Sequence, residues 1–134
     1  MNTDQVARRL VELCRQGQYE AAQKELYADG ATSTEPAGAS MPPAHGLAAI
    51  VKKGHDFMAM IETMHGGSVS EPLVAGNFFA AQMMLDVTMK GMGRMEMNEP
   101  CLYEVRDGKC RSGSARLPLA RCLCLSPAYR RTAR

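Results

Sequence analysis

The sequence predicts an α+β fold: a curved, mostly antiparallel sheet packed on a long helix, with two shorter helices at the N-terminus. Residues 83–90 and 94–105 alternate apolar and polar side chains, the period of two that marks a strand with one buried face. Residues 3–16 and 46–64 instead repeat apolar side chains every three or four positions, which indicates amphipathic helices. A length of 134 residues, 46% of them hydrophobic, predicts one domain with a single two-layered core.

The first helix is expected over residues 3–16. Thr3 or Asn2 can cap its N-terminus, and Gly17 is placed to end it. A shorter helix is expected over residues 18–27. These two helices form the N-terminal part of the helical layer.

A short strand over residues 31–35 is expected next, and Pro36 stops it. Residues 36–46 hold three prolines and two glycines and predict a loop. The long helix is expected over residues 46–64. Gly54 lies in its middle, which indicates close packing of the helix on the sheet.

A strand over residues 68–74 and a turn at residues 75–77 lead into a long hairpin, whose turn contains Gly91. Pairing of Met89 with Met95 would place all odd-numbered side chains of the hairpin on one apolar face. With Phe57 of the long helix, that face supplies the candidate ligand-binding residues. They are Phe57, Met83, Leu85, Val87, Met95, Met97, Cys101 and Tyr103.

Composition and charge argue against several classes of partner. Residues 106–134 hold eight basic side chains and one acid, but they lack the interleaved aromatic residues of a nucleic-acid platform, so no nucleic-acid partner is expected. Residues 1–10 lack the apolar segment of a signal peptide, and no apolar run approaches the roughly 20 residues that span a bilayer. We therefore expect a cytoplasmic protein with reduced cysteines and no membrane partner.

The sequence predicts neither a metal site nor a cofactor. His45, His55 and His65 are ten residues apart, which is not the i,i+4 spacing of two ligands on one helix face. The glycine-rich motifs that bind nucleotide phosphates are also absent from the sequence.

Three segments together resemble one family. They are YEAAQKELYADGATSTEP, HGLAAIVKKGHDFMAMIETM and MMLDVTMKGMGRMEMNEPCLYEVRDGK. In order and spacing, residues 3–109 resemble the nuclear transport factor 2-like superfamily, and within it the SnoaL-like proteins. The resemblance implies an α+β cone with a buried cavity and usually a homodimer. It does not imply one activity, because the fold carries isomerases, cyclases, hydrolases, dehydratases and inert binding subunits.

Glu35 and Glu99 are the candidate catalytic residues. Glu35, before Pro36, matches the position of the aspartate base of ketosteroid isomerase, a member of the superfamily. The positions that would supply its oxyanion donors fall near Leu10 and Cys101, so both donors are missing. Glu99 falls on the apolar face of a regular strand, where it could act as an acid or base. Alternatively, a bulge at Pro100 turns it to solvent.

Two functions are therefore expected as alternatives. The first is binding of an apolar or aromatic small molecule, with an isomerase, cyclase or hydratase-type reaction that uses Glu35 as base. The second is a non-catalytic, homodimeric binding or scaffold domain.

The C-terminal part departs from the family pattern. We expect residues 1–109 to form the SnoaL-like domain and residues 110–134 an irregular basic tail, because the tail lacks sustained alternation and contains Pro118 and Pro127. Two origins of this tail are open: native sequence, or out-of-frame translation of a GC-rich gene.

Overall fold

A computed structural model of the protein describes residues 1–35 and 42–111, and within them the predicted α+β fold is confirmed. Three helices cover a curved antiparallel sheet. The helices are α1 (Thr3–Arg15), α2 (Tyr19–Leu26) and α3 (Leu47–Ala59), and the strands are β1 (Thr32–Ser33), β2 (Ala44–His45), β3 (Ile61–Val69), β4 (Leu73–Ala75), β5 (Phe78–Met89), β6 (Gly93–Arg106) and β7 (Lys109–Arg111).

The start of α1 is fixed by a capping box. The Asn2 side chain accepts a hydrogen bond from the Gln5 backbone N–H, and the Gln5 side chain accepts one from the Asn2 N–H, each at 2.9 Å. Asn2, rather than Thr3, is therefore the N-cap. Gly17 follows the helix with φ +72°, a left-handed conformation that suits glycine, and the chain turns there into α2.

The main sheet has the order β3-β5-β6-β7, with every pairing antiparallel. β6 occupies one edge of β5 along its whole length. The other edge of β5 is divided, because β4 pairs with residues 78–80 and β3 with residues 83–89. β1 and β2 form a separate two-stranded sheet.

The central hairpin has the predicted face but not the predicted register. Met89 pairs with Gly93 and Val87 pairs with Met95, so the pairing of Met89 with Met95 was wrong by two residues. A shift of two keeps odd-numbered residues opposite one another, and a shift of one would have reversed the faces. Met83, Leu85, Val87, Met97, Cys101 and Tyr103 are accordingly all buried, and Met95 is half-buried.

The long helix is shorter than predicted. α3 ends at Ala59, and the chain enters β3 at Ile61, which pairs with Met89. Ile61 and Met64 continue the helical spacing of apolar residues, but pairing with β5 decides their conformation. The Met60 carbonyl accepts from the Lys90 N–H at 2.9 Å, which joins the end of the helix to the hairpin turn.

Two other predicted segments also need correction. The strand expected over residues 68–74 is interrupted, since β3 ends at Val69 and β4 begins at Leu73. The segment expected as a loop contains β2, whose two residues pair with the two residues of β1. The rest of that segment through residue 41 lies outside the described residues.

The core consists of two clusters of buried side chains. The larger joins α1 and α2 to one end of β5 and β6, where the Phe79 and Tyr103 rings stack with their centroids 4.5 Å apart. The smaller lies under α3 and contains Phe57, Leu85, Val87, Met89 and Met97. Met83 and Tyr103 belong to the larger cluster and pack toward α1. The prediction had grouped them with Phe57, which lies in the smaller cluster.

The C-terminal boundary falls inside a strand. Asp107 and Gly108, with φ +50° and +72°, form a two-residue turn that returns the chain along β6 as β7. Cys110 of β7 is fully buried and pairs with Val105. The predicted irregular tail otherwise falls on residues 112–134, outside the described residues. Within the described residues, no helix is both long and apolar enough to cross a membrane.

Candidate functional site

Two neighbouring cavities open between the helices and the sheet. The first, here the α2–α3 cavity, has a volume of about 210 Å³. The second, here the α1–β3 groove, has a volume of about 420 Å³ and lies between the end of α1 and β3. The walls common to both are Gly17, Tyr19, Met58 and Leu85.

Apolar side chains make up most of the α2–α3 cavity wall. The bottom is formed by Leu85 of β5 and Phe57 of α3, both buried. α3 also supplies Val51 and Met58, which lie about two turns apart on the same helix face. Of the eight predicted ligand-binding residues, Phe57 and Leu85 line this cavity. The other six pack in the two core clusters.

Glu35 lies in a buried ion pair with Lys53 of α3. The Lys53 Nζ donates to the Glu35 carboxylate and lies 3.3 Å from Ser33 Oγ. Only 4% of the Glu35 side chain and 8% of the Lys53 side chain are exposed. Glu35 is not among the residues that line the two cavities described above. The structure therefore joins the candidate base to a lysine that sequence reasoning had not singled out.

Glu99 occupies a regular position in β6. It lies opposite Met83, and Pro100 lies opposite Gln82 in an unbroken register, so the alternative of a bulge at Pro100 is not found. The Glu99 side chain is half-buried on the face that carries Met97 and Cys101. It does not line either of the two described cavities.

Tyr19 is the aromatic wall shared by both cavities. Burial is the main cause that raises the pKa of its phenol, and the nearby Cys14 thiol adds to this effect. Its hydroxyl therefore stays neutral at physiological pH and can donate or accept a hydrogen bond.

Polar side chains lie at the rim of the α2–α3 cavity, where the Glu20 carboxylate bridges the side chains of Lys24 and His55. One carboxylate oxygen lies 2.5 Å from the Lys24 Nζ, and the other lies 2.5 Å from the His55 Nε2. Hydrogen bonds from Lys24 and then His55 lower the pKa of Glu20 to about 2. Sequence reasoning considered His55 only as a metal ligand. The sequence feature that could have identified His55 as a cavity residue is its position on the same helix face as Val51 and Met58.

Three free thiols are buried in the described part of the chain: Cys14, Cys101 and Cys110. Burial raises the pKa of Cys14 and of Cys110 to about 12, so both are protonated and unreactive at neutral pH. Over residues 1–35 and 42–111, no three His, Cys, Asp or Glu side chains are grouped in a way that could hold a metal ion.

A family model for the SnoaL-like domain matches residues 1–114. No curated protein sequence matches the chain. Among solved structures, a SnoaL-like protein from Mesorhizobium loti, provisionally assigned as a polyketide cyclase, is 36% identical. It has a TM-score of 0.77, and the match covers 82% of this chain and 94% of that one.

More distant structures show the same fold. A nuclear transport factor 2-like protein from Burkholderia thailandensis is 16% identical with a TM-score of 0.71, over 83% of this chain and 86% of that one. A Catenulispora acidiphila protein with a ketosteroid isomerase-like fold, solved with trimethylamine, is 18% identical with a TM-score of 0.63, over 80% of each chain. The chain therefore belongs to the SnoaL-like domain family, within the nuclear transport factor 2-like superfamily.

Proposed function

We propose that this SnoaL-like domain binds a small apolar or aromatic molecule in the α2–α3 cavity. The observation that carries the proposal is the wall of that cavity, in which Val51, Phe57, Met58 and Leu85 converge beneath a charged rim. Apolar walls with a few convergent polar groups are typical of small-molecule sites.

The volume limits the size of the ligand. A cavity of roughly 150 Å³ lined by apolar side chains holds benzene, so about 210 Å³ suits one substituted ring. The α1–β3 groove extends the space beyond Tyr19 and Met58. Met58 is 45% exposed and unbranched, so a change of rotamer would admit a longer ligand.

An isomerase, cyclase or hydratase-type reaction with Glu35 as base is the second candidate. It is supported by the buried carboxylate and by the provisional assignment of the Mesorhizobium loti relative as a cyclase. Proton abstraction by Glu35 would leave the Lys53 ammonium buried beside a neutral acid, and this cost favours binding without turnover. Glu99, half-buried on the apolar face, is the other carboxylate proposed for such a reaction.

We also propose a homodimer in a reducing cytoplasm. The free thiols of Cys14, Cys101 and Cys110 suit that compartment. Met58, Met60 and Met64, between 37% and 45% exposed, offer apolar surface to a second copy. Light scattering of the purified protein tests the dimer, and a monomer at micromolar concentration would contradict it.

The binding proposal is tested by calorimetric titration with toluene and indole, alongside native mass spectrometry for a co-purified ligand. Gly54 lines the cavity, so Gly54→Leu fills it and should abolish binding. Ala49→Leu adds the same side chain at an exposed site of α3 and should bind as the wild type does. Absence of both probe binding and a co-purified ligand in the wild type would reject the proposal.

A further inference from the structure

Glu20 and His55 connect two helices across the rim of the α2–α3 cavity. Glu20 is in the first turn of α2, and His55 is in the second half of α3. Their side chains meet with Nε2 and Oε2 2.5 Å apart, and both residues line the cavity. Together with Gln23 and the Tyr19 hydroxyl, they are the polar side chains of its wall as far as the chain is described.

The proton on the His55 ring can be assigned from its partner. Lys24 and His55 hold the pKa of Glu20 at about 2, so this carboxylate is ionised and only accepts hydrogen bonds. The Nε2 that faces it must therefore carry the proton. In the neutral imidazole the lone pair then lies on Nδ1, which becomes an acceptor.

A surface ion pair is the alternative interpretation, because 62% of the His55 side chain and 41% of the Glu20 side chain are exposed. Such pairs contribute little to stability. α3 offers a direct comparison in Lys52 and Asp56, an exposed pair 2.7 Å apart whose members are not among the cavity-lining residues. The Glu20–His55 pair differs from it by its place in the wall of an apolar cavity.

We propose that the Glu20–His55 pair is the hydrogen-bonding site of this cavity, and that the ligand carries a hydroxyl group that donates to the His55 ring. Glu20 acts as a positioning residue, since its carboxylate fixes which ring nitrogen accepts. The inference rests on the proposed function and adds to it the chemistry of the ligand. The apolar part of the ligand is buried in the cavity, and its one hydroxyl group distinguishes it from an analogue without a hydroxyl.

Phenol and toluene test this inference, because they have nearly the same size and differ in a hydroxyl against a methyl group. The measured quantity is the ratio of the two dissociation constants, in which differences in packing largely cancel. His55→Phe keeps an aromatic ring and should weaken phenol binding about fivefold to tenfold relative to toluene. Glu20→Gln should reduce the phenol preference in the same direction, and Asp56→Asn, in the matched pair, should leave it unchanged.

The outcomes separate the two proposals. Toluene binding with the same phenol preference in wild type and His55→Phe would overturn this inference and leave the binding proposal intact. Failure of the wild type to bind either probe, together with the absence of a co-purified ligand, would overturn both. An independent measurement is the ¹⁵N shift of the His55 ring, where a protonated Nε2 and a phenol-sensitive Nδ1 are expected, and the opposite tautomer would overturn the assignment.

Discussion

Lys53 of α3 donates a hydrogen bond to the carboxylate of Glu35, two residues after the end of β1, and the two side chains are buried together. The ion pair links α3 to the segment that follows β1. The Ser33 hydroxyl of β1 lies 3.3 Å from the same ammonium. The hydroxyl of Thr34, which lies between Ser33 and Glu35 in the sequence, is buried without a hydrogen-bond partner among the described residues. This polar cluster lies in the position where the family resemblance had suggested a free base.

Removal of one member of this pair should be strongly destabilising. Lys53→Met leaves the Glu35 carboxylate buried without its cation, which typically costs about 3–5 kcal/mol in the free energy of unfolding. The double variant Lys53→Met/Glu35→Met should cost less than Lys53→Met alone, because no charge is left unpaired. Urea unfolding measures both. Lys52→Met, at the exposed neighbouring position, should change stability by less than about 1 kcal/mol. Additive losses in the double variant would contradict this account.

Stability should fall in alkaline solution because of two buried thiols. Burial raises the pKa of Cys14 and Cys110 from 9.0 to about 12. Below pH 9 the thiol is protonated in both the folded and the unfolded chain. Between pH 9 and 12 the unfolded chain loses these protons and the folded protein keeps them, so the unfolded state is increasingly favoured. Each thiol should contribute about 1.4 kcal/mol per pH unit to this loss.

The measurement is a series of urea unfolding curves between pH 8 and 11. Cys14→Ala lowers stability at every pH through lost packing, but it should also make the alkaline slope less steep by one thiol's share. An unchanged slope in this variant would show that other groups cause the alkaline loss.

The face of the central hairpin could be predicted from sequence because it depends on parity alone. The shift from Met95 to Gly93 as the partner of Met89 left every odd-numbered residue on the same side. The end of α3 could not be predicted in this way. Ile61 and Met64 fit both a helix face and a strand, and the pairing of Ile61 with Met89, 28 positions later, decides between them.

The site was predicted less well, because its parts come from distant segments. Glu35 was identified by resemblance, but its partner Lys53 comes from another element and no local pattern links the two. The apolar face was expected to line one cavity as a whole. In the structure most of it fills the core, and only Leu85 of the hairpin face reaches the described cavities. Sequence alternation shows which side chains are buried, but not which of them face an unfilled space.

The N-cap of α1 allows a direct choice between the two residues that the sequence left open. Asn2 makes both hydrogen bonds of the capping box with Gln5. Asn2→Ala should therefore lower the free energy of unfolding by about 1 kcal/mol. Thr3→Ala, at the first helical residue, should have an effect of less than about 0.5 kcal/mol. Thermal or urea unfolding of the two variants decides, and a larger loss for Thr3→Ala would assign the cap to Thr3.

Gly66 and Gly67 are adjacent in β3, and neither adopts a left-handed conformation, so alanine suits the backbone at both positions. Their surroundings differ. A Cβ at Gly67 would lie 2.9 Å from the Met84 carbonyl oxygen and 3.1 Å from a Leu85 methyl, whereas a Cβ at Gly66 meets nothing within 4 Å.

Gly67→Ala should therefore push β3 from β5 and cost about 1–3 kcal/mol. Gly66→Ala should be neutral or stabilising by up to about 1 kcal/mol, since alanine restricts the unfolded chain. Because the Leu85 methyl belongs to the shared wall of both cavities, Gly67→Ala should also weaken toluene binding, and Gly66→Ala should not. Equal unfolding midpoints for the two variants would show that β3 does not approach β5 this closely.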